Sequence, residues 1–328
     1  MADLPAHRLP QYSEDARQDA LFHYTTATGL IGILEKGELW STAYFCANDE
    51  SELATGKGIL EPLFRSATDE WIQANDSIVR IFSSRGVEIS SHAKAFEQTI
   101  TGVALSSLCA FITCFCKPTG KEDLYHGLLS QWRGYGSDGG YALQFSRKKL
   151  LAEIERTNRT GNFSYQLQDV HYNPDNDLKK EVLNHRVSFL SAYRSFLEEL
   201  AQPLDFSNLT MKNPIRDLTG GPLESLLDYL IHTKNQHFGE ERECRLSLVD
   251  MLKPNSAMPH ATHFSRNGLI VPYRATPKLT FDILSCVEGI VVGPAPRMGA
   301  RVQAAAQMVQ RLGLKIPVRP SHIPFTRV

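Results

Sequence analysis

Between Phe238 and Leu248 the chain reads FGEERECRLSL, with Glu241, Glu243, Arg245 and Ser247 at odd positions and Cys244, Leu246 and Leu248 at even ones. Side chains alternate between the two faces of a strand, so this period of two predicts a strand with one buried face. The apolar set would lie on the core, and both carboxylates would point together into solvent or a cleft. Adjacent like charges cost energy. The pair therefore reads either as a wet sheet face on which Glu243 and Arg245 neutralise one another, or as a site built to handle a cationic transition state.

The other strong signals alternate between strand and helix. LFHYT at 21–25 predicts a short strand, and Thr25 or Thr26 then offers an N-cap for TATGLIGILEKG, whose apolar stripe is Leu30, Ile33 and Leu34. Gly37 and Lys36 supply the stop signals of that helix before ELWST resumes an extended pattern. From Asn48 to Ser107, residues such as Leu60, Leu63, Phe64, Trp71, Ile72, Ile78, Val79 and Phe82 recur at helical spacing, which predicts a helical insertion over 48–107. LCAFITCFC at 108–116 has the length and apolarity of a buried strand, QWRGYGSDGG reads as a glycine-dense loop, and YALQFS at 141–146 as another strand. Helices are expected over 176–202 and about 222–236. GIVVG at 289–293, a helix at about 299–312 and KIPVR at 315–319 predict a closing β-α-β unit.

A chain of 328 residues with 42% hydrophobic content can bury a substantial core. Its 35 Lys and Arg against 36 Asp and Glu give a net charge of -1, which removes any global attraction to nucleic acid or acidic membranes. Apolar runs fall short of the roughly 20 residues of a membrane helix, and the polar N-terminal stretch lacks a secretory hydrophobic region, so a cytoplasmic protein is expected. The six cysteines show no CxxC pair and read as reduced thiols. Cys114 and Cys116 share a strand face and with His126 invite a metal reading, but a second ligand pair is missing and no metal is expected. His260 and His263 in HATH read as exposed loop residues. The segment 289–328 holds no acidic residue while carrying Arg297, Arg301, Arg311, Lys315, Arg319 and Arg327, either a phosphate- or nucleic-acid-binding stretch or a basic surface facing the rest of the chain.

HYTTATGLIGILEKGELW, ND at 48–49, QWRGYG at 131–136, FGEERECR at 238–245 and a terminal GIVVGP, taken in order, resemble an uncharacterised bacterial domain family. The first and fourth of these segments also look like the ADP-ribosyltransferase superfamily, whose members share a His-x-Thr-like strand and a late catalytic Glu. The resemblance implies an α+β fold with a split, strongly bent sheet clasping NAD, in one elaborated catalytic domain over 1–328. It implies transfer of ADP-ribose from NAD to a macromolecule with release of nicotinamide, in a bacterial toxin or phage-defence setting with a possible cognate regulator or antitoxin. Simple NAD hydrolysis and a non-catalytic NAD sensor are the alternatives.

By that resemblance Glu243 would hold the ribose and stabilise the oxocarbenium ion and Glu241 would activate the acceptor, or the two would act in reverse order, a chemistry that suits a positioned carboxylate. His23, with Tyr24 and Thr25 beside it, would contact the NAD ribose. Arg133 would pair with the pyrophosphate, and Tyr135 or Tyr141 would stack on a ring, although Trp132 reads as structural and Tyr141 also serves as a strand start. Glu240 breaks the alternation and reads as a cap or surface residue. Asn48 and Asp49 read as a turn or cap. No arginine in the early region matches the one carried by nucleic-acid-modifying members, which leaves the acceptor open between nucleic acid and protein.

Overall fold

A computed structural model describes residues 14–46, 109–135, 139–160, 164–172, 231–250, 262–266 and 268–324, together with 62, 65–66, 69–84, 86, 88 and 91. Asn48, Asp49, the helix expected over 176–202, most of the 48–107 insertion and most of the 222–236 helix lie outside the described residues. Within the insertion, helix α3 (Asp76–Ser84) has the expected type. Among the described residues the chain is mixed α+β, and ten strands form one sheet, antiparallel except where β10 joins β9.

The opening follows the local chemistry. After the short helix α1 (Glu14–Asp19), strand β1 (Ala20–Thr25) leads into α2 (Ala27–Lys36), capped by Thr26, whose hydroxyl accepts the Gly29 N–H at 3.2 Å. Gly37 closes α2 at φ 66°, a left-handed conformation that glycine adopts without Cβ strain. Strand β2 (Trp40–Ala43) follows, and the continuous apolar run becomes β3 (Cys109–Cys116).

Two helices come next, α4 (Lys121–His126) and α5 (Leu129–Tyr135). The second corrects an expectation, because QWRGYG is helical through Tyr135 rather than a loop. Burial decides this: Gln131 and Trp132 are buried, the Trp132 indole N–H donates to the His126 carbonyl at 2.9 Å, and Gly134 falls in the last turn. Strand β4 (Tyr141–Ser146) then feeds α6 (Arg147–Asn158), whose first turn is held by the Ser146 and Asp19 side chains.

Strand β5 (Tyr165–Asp169) pairs with β6 (Glu243–Asp250), and β7 (Thr262–Arg266) forms a hairpin with β8 (Leu269–Ala275). His263 thus sits in a strand rather than a loop, and it is exposed as expected. The closing β-α-β unit forms as anticipated, with β9 (Val287–Val292), α7 (Met298–Arg311) and β10 (Val318–Pro320) parallel to β9.

Strand β3 is the branch point. Along one edge it pairs with β6 through its whole length, from Cys109↔Asp250 to Cys116↔Glu243. Its other edge is shared, with β1 at Phe22↔Cys116 and β2 at Thr42↔Ile112 and Ala43↔Phe111. The sheet therefore forks beside Thr113, Cys114 and Phe115.

The two faces carry different loads. Leu21, Phe115, Phe145, Cys244 and Leu246 point to the main core, which α2, α6 and α7 cover with Leu30, Leu34, Leu150, Ile154 and Val309. Phe22, Tyr24, Cys116 and Ala142 point the opposite way, against Leu124 of α4, Leu128 and Trp132. The C-terminal strand is tied to that side by Arg319, whose guanidinium donates to the carbonyls of Leu124 and Tyr125 at 2.9 and 3.0 Å and to Gln144 Oε1 at 2.6 Å. Arg301 and Arg311 are also engaged within the fold, on the Gly139 carbonyl and on Glu35. These contacts favour the structural reading of the basic C-terminal segment.

Trp132 fills its niche so closely that a Cβ on Gly293 would lie 2.7 Å from its Cε3 and 2.8 Å from the Gly140 carbonyl oxygen. Gly293→Ala is expected to destabilise the protein by about 1–3 kcal/mol, because backbone and a buried indole must both shift. Urea unfolding checks this, and an unchanged midpoint contradicts the packing described.

Candidate active site

The segment leading into β6 does not extend the strand back to Phe238. Residues Gln236–Glu241 wind into a 3-10 turn, started by the Asn235 side chain, which accepts the His237 N–H at 3.0 Å. The turn ends at Arg242, a non-glycine residue in the left-handed region at φ 45°. Glu241 and Glu243 therefore belong to different elements, the turn and the strand.

They still converge, on a residue the sequence patterns did not single out. Lys234 Nζ lies 2.7 Å from Glu241 Oε2 and 3.1 Å from Glu243 Oε2. Arg245 grips Glu243 from the strand, with Nε 2.7 Å from Oε1 and Nη2 3.3 Å from Oε2, while its Nη1 donates to the Ile231 carbonyl. Side-chain exposure grades across the cluster: 1% for Arg245, 3% for Glu243, 10% for Lys234 and 24% for Glu241. The expected wet face of β6 is thus buried, and Ser247 is buried with it. The neutralising pair of Glu243 and Arg245 does form, in the interior rather than on a solvated face.

Burial alone would raise the Glu243 carboxyl, but the adjacent Arg245 and Lys234 cations and a hydrogen bond with Cys114 outweigh it and bring the group down to about 2. The nearby thiols respond oppositely. Burial, reinforced by the Glu243 charge, pushes Cys114 and Cys116 well up, so both stay protonated and unreactive. The backbone N–H of Glu243 donates to the Tyr172 hydroxyl at 2.6 Å, and the Lys234 ammonium sits 4.7 Å from the centre of the Phe238 ring.

His23 does not join this cluster. Phe22 pairs with Cys116 and Cys116 with Glu243, so those three share one face, and His23, one residue on, faces the other. Its ring lies 5.8 Å from that of Phe115, and Nδ1 is 3.0 Å from the Cys114 carbonyl oxygen in the fork of the sheet. A carbonyl only accepts, so Nδ1 carries the proton and Nε2 is the acceptor. Burial lowers the imidazole pKa, opposed by that hydrogen bond, and the ring is neutral at physiological pH. The expectation that His23 and the acidic pair line one pocket is not met.

The remaining expected contacts divide similarly. Thr25 shares the His23 face and lies over the first turn of α2, where a Cβ on Gly29 would meet its Oγ1. Tyr141 is buried in the main core as the first residue of β4. Tyr24, by contrast, is on the Glu243 face, its ring 4.8 Å from Trp132 and its hydroxyl accepting the Leu128 N–H at 2.7 Å. Arg133 is exposed on α5, Tyr135 is that helix's last residue, and α5 packs against both β1 and the 3-10 turn. Glu240 is exposed in the turn, as expected. QWRGY and FGEEREC, far apart in sequence, are therefore neighbours in space.

Residues 131–246 match a family model described as a protein of unknown function (DUF2971). The match begins in α5 and ends in β6, and so spans Lys234, Glu241, Glu243 and Arg245. No curated protein matches the chain, and no solved structure does. Among the described residues no helix is long and apolar enough to cross a membrane, and no group of three or more His, Cys, Asp and Glu is arranged to hold a metal ion.

Because the folded pKa of Glu243 lies below its ordinary value of 4.5, the stability it contributes is present in full above that value and is lost as pH falls towards about 2. Glu243→Gln is expected to cost about 3–5 kcal/mol at neutral pH, since it strands Arg245 and Lys234 beside an uncharged amide. It should also flatten the acid side of the stability profile. Urea unfolding over a series of pH values checks both, and an unaltered acid limb contradicts the assignment.

Proposed function

We propose that the chain binds NAD and transfers its ADP-ribose to a macromolecular acceptor, with Glu241 as the reacting carboxylate and Glu243 as the buried group that positions it through Lys234. The observation carrying this reading is a partly exposed carboxylate, held by a shared lysine next to a buried one, at the junction of α5 and the 3-10 turn. The forked α+β sheet is compatible with the split sheet implied by the resemblance to ADP-ribosyltransferases. Glu243, with both oxygens engaged by cations and little access to a ligand, is left to position Glu241, so the charge-stabilising role considered for either glutamate falls to Glu241.

The chemistry asks for few groups. As the bond from nicotinamide to the ribose breaks, the electron pair leaves with nicotinamide and positive charge builds on the sugar, where a nearby carboxylate lowers its energy. The acceptor nucleophile then bonds to the sugar carbon and gives its proton to the Glu241 carboxylate. Arg133 and Tyr24 are the other expected contacts on the elements that build this side of the sheet, and His23 is left to a structural role in the fork.

A second reading, a binding module without turnover, is favoured by the saturation of Glu243. The two separate on chemistry. Purified protein given NAD is expected to release nicotinamide, and Glu241→Gln to lower the rate roughly a hundredfold or more while leaving the unfolding midpoint nearly unchanged. NAD binding without nicotinamide release, in the presence of cell-derived DNA, RNA and protein, selects the binding module instead.

A further inference from the structure

We infer that His126 is an acid-sensitive clasp on the segment that follows β10: with its imidazole neutral it holds residues 321–324 against the end of α4, and once protonated it lets them go. The holding contact needs a lone pair. The His322 backbone N–H donates to His126 Nδ1 at 3.3 Å, so Nδ1 carries no proton, and the single proton of the neutral ring sits on Nε2, which faces Glu122 Oε2 at 3.6 Å. A second proton can enter only at Nδ1. There it sets N–H against N–H, and the contact that ties the segment to α4 turns into a repulsion.

The surroundings of the ring favour the neutral, closed form. His126 is the last residue of α4, its carbonyl takes the Trp132 indole N–H, and its ring meets those of Tyr125 and His322 edge-on at 5.4 and 5.3 Å. Besides Tyr125, the charged and titratable groups facing it are Glu122 one turn back on α4, His322, and Arg319 of β10, whose guanidinium is bound to the neighbouring Leu124 and Tyr125 carbonyls. Burial, then His322 and then Arg319 lower the imidazole pKa below its ordinary 6.5, and the exposed Glu122 opposes them. Because the folded value is the lower one, the closed form has its full stability above 6.5 and loses this contribution as pH falls through the folded value. The Glu243 contribution is complete down to 4.5, so the clasp begins to open while the cluster on β6 is still charged. Ser321 keeps its N–H on the Val292 carbonyl at 2.8 Å, which continues the pairing of β10 with β9, so the hinge lies after it. What moves is Ile323, which packs on the cluster of Leu124, Leu128 and Trp132.

The test is an NMR titration of the full chain from about pH 8 to about pH 5. The His126 ring is expected to start as the Nε2–H tautomer and to titrate below 6.5, with the His322 amide and the Ile323 methyl signals moving at the same midpoint. His126→Gln supplies an acceptor that does not titrate, and is expected to leave the Ile323 signals in place across the range. His322→Ala removes the neighbouring charge and keeps the backbone donor, so the His126 midpoint is expected to rise and the amide at position 322 to follow it. A parent His126 midpoint at or above 6.5, Ile323 signals that stay put while His126 titrates, or signals that move at the parent midpoint in His126→Gln, overturn the inference. Should His126→Gln fail to fold, the parent protein and His322→Ala, which alters an exposed side chain, still decide the matter.

Discussion

The ion cluster at Glu243 is the constraint around which the far side of the sheet is arranged. A carboxylate in the interior is tolerable only if paired and hydrogen-bonded, and here the partners come from three places: Arg245 two residues along the strand, Lys234 before the 3-10 turn, and the Cys114 thiol on the neighbouring strand. Each partner fixes a different piece of chain. Arg245 reaches the Ile231 carbonyl, so the segment entering the turn is held at both its beginning and its end. Replacing such a cluster with apolar residues often leaves stability unchanged or raises it, so what it settles here is geometry: Lys234 holds Glu241 and Glu243 together.

The fork in the sheet has a comparable economy. Strand β3 cannot pair with β1 and β2 at the same residues, so the Cys114 carbonyl between the two pairings takes its hydrogen bond from the His23 ring. The buried hydrogen bond between Ser41 and Thr113, 2.8 Å, closes the same region from the β2 side. His23 thus has a specific physical task that requires neither a ligand nor catalysis. A histidine two residues before a threonine at the end of a strand carries no information about which of these tasks it performs.

Elements with a complete local signature were legible in the sequence. β1, α2 with its caps, β2, β3, β4 and the closing β-α-β unit appear where hydrophobic period and stop signals put them. Three kinds of feature were not. α5 carries Gly134 and leads into a glycine-rich stretch typical of a loop, and the burial of Trp132, a tertiary fact, favours the helix. β5 and β7 are short edge strands, and β8, between β2 and β7, begins with the exposed Leu269 and Ile270, so their alternation is weak. Lys234 lies seven residues before Glu241, and the pair is brought together by the 3-10 turn between them rather than by one continuous helix or strand. The two-residue alternation of FGEERECRLSL assigned the strand and its Arg245 partnership, but it started the strand at Phe238 rather than Glu243 and took a polar face for a wet one.

The turn before β6 also decides how two neighbouring carboxylates come to differ. Within a strand, Glu241 and Glu243 would have projected side by side from one face, equally exposed and equally able to react. Winding Gln236–Glu241 into a turn breaks the equivalence: one carboxylate goes into the interior with cations on both oxygens, and the other stays at the rim on one side of a shared lysine. Two identical side chains thereby acquire different environments, the condition under which paired carboxylates take different roles. The difference between the two environments is set by backbone geometry at Arg242, not by the residue types, which is why the motif alone could not tell the two glutamates apart.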